Sequence, residues 1–215
     1  RDGRLRRWDM GDASRGIAAC RGRVVSGTAN RGEISYFENM RARHVLDTQV
    51  WSDAQRLSAP LDSENYHFVS AYAALRAGDD DQARSALEAY RRVAVREPMT
   101  RTEIQILELQ ALEATRAGDH GRALELLEDA AAIEEQLPFE FGPPASLKPP
   151  HELLGEIALE AGRHARALAA FQRSLEFTPE RTPSLVGLAA AARATDRPAL
   201  AADAEARLKE LRGGR

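Results

Sequence analysis

From residue 35 onward, apolar positions recur at helical spacing in blocks separated by short polar breaks. That period predicts amphipathic helices at 35–48, 65–77, 101–117, 150–161 and 181–194. A second helical block follows each one, at about 51–58, 80–95, 120–135, 164–177 and 197–212. Gly78, Gly118 and Gly162 stand where a left-handed residue ends a helix. Asp80 and Asp119 are suited to cap the helices that follow. No segment sustains the alternation of a β-strand. The expected class is therefore all-α, built from helix pairs.

The pairs share a register. Aligned on the alanine early in each second helix, the anchors are Ala54, Ala83, Ala123, Ala167 and Ala201. Twelve residues earlier stand Ala42, Ala71, Ala111, Gly155 and Ala189, all small. Five residues before the anchors stand Gln49, Gly78, Gly118, Gly162 and Asp196. Four residues after them, the middle three pairs carry Leu87, Leu127 and Phe171. Small residues at matched height let two helix axes approach, and glycine permits the tight reversal between them. Each pair leaves an apolar flank that only a neighbouring pair can cover. The expectation is a right-handed α-solenoid of about five helix-turn-helix hairpins. Successive anchors are 29, 40, 44 and 34 residues apart, so the repeat is uneven.

This pattern resembles the tetratricopeptide repeat. The best unit is 148–181, where Leu154-Gly155, Ala167, Phe171 and Pro179 fall on that family's Leu-Gly, Ala, Phe and Pro positions. Residues 182–214 match through Leu188, Ala189 and Ala201. The units anchored at Ala83 and Ala123 keep the small residues and glycine but carry Leu for Phe. The unit anchored at Ala54 is short. The stretch 140–156 also looks like bacterial tetratricopeptide proteins of undefined role, in which this half would be the C-terminal part of a longer chain. The resemblance implies a binding scaffold whose first helices line a concave groove. Carried onto this sequence, the groove positions are Asn39, Arg43, Phe68, Tyr72, Glu108, Leu112, Glu152, Glu156 and Arg193. They do not rebuild the Lys/Asn/Arg clamp by which some members hold a terminal carboxylate. The set suits a ligand of mixed basic and apolar character, although solvated helix faces would look the same.

Charge divides the chain. Residues 1–34 hold eight arginines against four acids, and the whole chain is at −3, so the body from 35 onward is acidic. The first 34 residues show no sustained period and read as an irregular terminus or as a basic arm that docks on an acidic partner or on the chain's own body. A near-neutral total and the lack of aromatic–basic interleaving argue against nucleic acid. No apolar run reaches the length of a membrane span. The first residue is Arg1, not Met, so the compartment stays open.

Candidate chemistry is sparse. His151-Glu152 begins like a zinc-protease helix, but Gly155 occupies the place of the second histidine. The remaining histidines, 44, 67, 120 and 164, are far apart. Cys20 is the single cysteine and has no neighbouring partner signature. No phosphate loop or nucleophile elbow occurs. No metal or cofactor is expected. The loop 137–150 is unusual, with five prolines and two phenylalanines in fourteen residues. Either Phe139 and Phe141 tuck back while Pro149-Pro150 lead into the next helix, or the loop overhangs the groove and offers Glu140 or Lys148 to a ligand. Lys148 is one of only two lysines. The functional expectation is a non-catalytic scaffold that binds a protein or peptide. Self-assembly by stacked repeats, or a regulatory half of a longer enzyme, are the alternatives.

Overall fold

The computed structural model describes residues 22–24, 26–56, 63–95, 100–137 and 146–213. Residues 1–21, including Cys20, and most of the Pro-rich loop, including Phe139, Glu140 and Phe141, lie outside the described residues. Nine α-helices follow among the described residues: α1 (Arg31–Thr48), α2 (Glu64–Ala77), α3 (Asp80–Ala94), α4 (Thr100–Arg116), α5 (His120–Glu134), α6 (Pro150–Glu160), α7 (His164–Phe177), α8 (Thr182–Ala194) and α9 (Pro198–Gly213). They form consecutive antiparallel hairpins that stack into a right-handed solenoid of about five units.

Helix ends follow local chemistry. α1 begins at Arg31, earlier than the apolar period alone suggests, because Asn30 and Glu33 form a reciprocal capping box. The helix therefore reaches into the stretch expected to be irregular. Asp79, one residue before the expected cap Asp80, accepts from the Gln82 amide and starts α3. Asp119 does the same for α5 through Arg122. Pro150 opens α6 at a position that needs no amide donor. The partner of α1 is not an α-helix but a 3₁₀ segment, Trp51–Arg56. Ala54 is its buried apolar residue among those described.

The register seen in the sequence is the register of the fold. All five anchors are buried, as are Ala42, Ala71, Ala111, Gly155 and Ala189 opposite them. The column five residues before the anchors is left-handed throughout, with φ of 55° at Gln49, 78° at Gly78, 81° at Gly118, 68° at Gly162 and 55° at Asp196. Two of these are not glycine, so hairpin geometry rather than residue type dictates the turn. Phe171 fills the joint between the fourth and fifth hairpins. A Cβ on Gly155 would stand 2.7 Å from its ring, and one on Gly187 would stand closer still. The two helical glycines are the space into which that ring fits.

The joints between hairpins are not equivalent. α5 packs along α6, and α7 along α8, so second helices cover the next first helix. α3 and α4 make no such sustained contact. The first helices α2, α4, α6 and α8 also touch in order and carry one continuous core from Ala42 to Leu208. At the C-terminal end, Ala201, Ala204 and Leu208 of α9 are buried. Its outer flank shows Asp203, Glu205, Lys209 and Glu210 around the exposed Ala202 and Ala206. That flank is polar.

Candidate functional site

A buried network of charged side chains joins α6, the segment before it and the start of α8. Lys148 lies 2.8 Å from Glu152 and 2.6 Å from Glu156. Arg181, at the start of α8, grips Glu152 with two nitrogens at 2.7 and 2.9 Å. Ser184 donates to the same carboxylate and sits 2.9 Å from Ser174. Lys148 and Glu152 are buried. Burial alone would push the Glu152 carboxyl up, but Lys148 and Arg181 overcome it and hold it down at about 2. Burial alone would lower Lys148, and its two glutamates reverse that, so the net shift is upward. The chain's rare lysine is thus committed to its own glutamates.

α1 joins this network. Asp47 accepts from Arg181 at 2.7 Å, Arg43 donates to the Ser146 carbonyl at 3.3 Å, and Gln49 donates to Glu156 at 3.4 Å. Asn39 accepts from Arg43 at 2.9 Å. Burial, then the nearby Arg181, lowers the Arg43 guanidinium to about 10. The first hairpin therefore bonds to Ser146, Glu156 and Arg181, far along the chain.

These contacts decide where the expected groove residues sit. Asn39, Arg43, Tyr72, Glu108, Lys148, Glu152 and Glu156 gather around one charge network. Phe68 packs against the rings of Tyr72 and Tyr90, and Leu112 lies in the apolar core. Phe68, Tyr72, Glu108, Leu112, Lys148 and Glu152 are at most 2% exposed, so the wall that the resemblance leaves open is buried within this chain. Arg193 is apart from them, exposed and paired with Glu205 of α9. Glu108 is the unusual member. Its Oε1 has no hydrogen-bond partner, and burial followed by the charge of Glu134 pushes its carboxyl well above the ordinary glutamate value. Tyr72 is also buried with an unpartnered hydroxyl, and burial raises its pKa.

The open surface is elsewhere. Between α3 and α4 lies a cleft of about 610 Å³. Leu87, Ala94, Val95, Ile106 and Leu109 form its apolar walls, and Arg91, Glu103, Gln110 and Glu113 mark its edges. Val95 is 80% exposed and Ile106 37%. Tyr90 explains the gap. Seven residues after its anchor, it occupies the position of Ala130 and Ser174 in the next two hairpins. Its buried ring stands at the base of the cleft, and its hydroxyl donates to Gln105 at 3.0 Å. A ring where the other joints have a small side chain keeps the two helices apart. Arg91 pairs with Glu113 across the cleft at 3.5 Å.

Sequence reasoning missed Arg181, Asp47 and Tyr90. Arg181 opens the helix expected at 181–194, but nothing in that position pointed to Glu152 or Asp47; it stands just before α8. Tyr90 was visible as the one aromatic in that column, where the next two hairpins carry Ala130 and Ser174. Among the described residues no group of His, Cys, Asp and Glu is placed to hold a metal ion, and no helix is long and apolar enough to cross a membrane. No family model matches the chain, and no curated protein matches it.

Proposed function

We propose that the chain is a non-catalytic protein-interaction scaffold of the tetratricopeptide type that holds a partner's helix in the joint between α3 and α4. The open joint carries this reading. A solenoid that buries its apolar flanks at the α5/α6 and α7/α8 joints leaves one joint lined by Leu87, Val95, Ile106 and Leu109. Apolar grooves between helices are where amphipathic helices dock. The repeat type is supported by the Leu154-Gly155, Ala167, Phe171 and Pro179 register and by the left-handed column it shares with the other hairpins. The charge network has a structural part in this scheme: it ties the first hairpin to the fourth and fifth and stiffens the coil. The polar outer flank of α9 does not favour end-to-end stacking.

The test is a comparative capture from the source organism, using the chain and its Ile106→Asp variant as baits with quantitative mass spectrometry. Ile106 is partly exposed, so the variant keeps its fold, which circular dichroism verifies. Partners recovered by the parent chain and lost with the variant support the cleft. Partners recovered equally by both rule it out as the contact surface.

A further inference from the structure

We infer that the α3/α4 cleft takes an amphipathic helix of about three turns whose apolar face is flanked by arginine or lysine; this rests on the reading of the cleft as the partner surface. Length comes first. The wall on α4 runs from Thr102 to Glu113 and that on α3 from Leu87 to Val95. At about 1.5 Å per residue the longer wall spans ~16 Å, or three helical turns. A loop or a single side chain would leave most of that wall wet.

Charge comes second. Arg91 and Glu113 neutralise each other across the cleft. Glu103 is exposed at the mouth and, among the described residues, has no ion pair. The uncompensated charge of the lining is therefore negative. It stands three residues before Ile106, on the same stripe of α4 that leads into the cleft. A helix with a cation beside its apolar face satisfies both features, and one with an acid there meets like charge. The partner is thus a basic amphipathic segment rather than an acidic one.

Two fluorescein-labelled 15-residue helical peptides test this on the full chain by anisotropy at low salt. Both carry leucine on one face at helical spacing; one has arginine on the flanks and the other glutamate. The arginine peptide is expected to bind roughly threefold to tenfold more tightly, in line with one exposed charge contact changed from attraction to repulsion. Glu103→Lys should abolish or invert that preference, and Ile106→Asp should abolish binding of both. Equal binding of the two peptides, lost in Ile106→Asp, would leave the cleft standing and overturn the basic partner. Binding of either peptide that ignores Ile106→Asp, or no binding at all, overturns both. Unlabelled chain serves as a further titrant: if it displaces the arginine peptide and the Ile106→Asp chain does not, the occupant is a second copy and the proposed partner is wrong.

Discussion

Replacing Glu108 with glutamine should stabilise the protein, although Glu108 lies in the wall that the sequence marks for binding. The side chain is 1% exposed, and its Oε1 has no hydrogen-bond partner. Burial and the neighbouring Glu134 raise its carboxyl well above the ordinary value of 4.5. Below about pH 4.5 the group is protonated in both folded and unfolded chains and costs nothing. As pH rises past that value the unfolded chain releases its proton and the folded chain keeps it. Stability therefore falls as pH rises, by about 1.4 kcal/mol per unit, until the folded carboxyl also ionises. Glutamine copies the protonated shape and carries no such penalty. Urea unfolding of both chains between about pH 4 and pH 8 is the assay. The variant should match the parent near pH 4 and pull ahead toward neutral pH, with a midpoint gap that widens by about 0.5–1.4 M per pH unit for a slope of 1–3 kcal/mol/M. A difference that stays constant with pH, or a variant less stable at neutral pH, would refute the account of a buried, protonated Glu108.

Three further outcomes follow from packing. Gln49→Gly and Asp196→Gly should each stabilise by about 0.5–1 kcal/mol, because both residues hold a positive φ that glycine adopts without a Cβ penalty; thermal denaturation reads this, and a loss of stability in both would contradict the shared turn geometry. Gly155→Ala should cost about 1–3 kcal/mol through its clash with Phe171, and Phe171→Leu in the same chain should recover part of it; strict additivity in the double-mutant cycle would mean that the ring does not fill that space. Arg181→Met removes one of the two cations that hold Glu152 and should cost about 3 kcal/mol; a neutral result would show that Lys148 and Ser184 suffice.

Much of the fold was legible because the hairpin register is a local property. Small residues at Ala71 and Ala83 meet whatever the rest of the chain does, and the turn between them needs one left-handed residue. The column even identifies Gln49 and Asp196, which composition gives no reason to suspect. The site was less legible because it depends on superhelical curvature. Whether α1 lies beside α2 only or also crosses to Arg181 is set by how the hairpins coil, and no periodicity reports that. Lys148 illustrates the difference. Its rarity marked it as special, but its partners Glu152 and Glu156 could be assigned only once α6 and the preceding loop were placed together. Tyr90 is the opposite case: its bulk in a column of Ala130 and Ser174 was on view, and its consequence, an open joint, required the neighbouring helix.

Carboxyl footprinting of the unmodified protein, with carbodiimide and an amine read at residue level by mass spectrometry, tests the division between closed and open faces most directly. Glu103 and Glu108 lie on the same helix, one exposed at the cleft and the other buried near Lys148 and Glu152. The account predicts rapid modification of Glu103 and protection of Glu108 and Glu152 until the chain unfolds. Modification of Glu108 and Glu152 at the rate of Glu103 in the folded protein would show an open concave groove and contradict it.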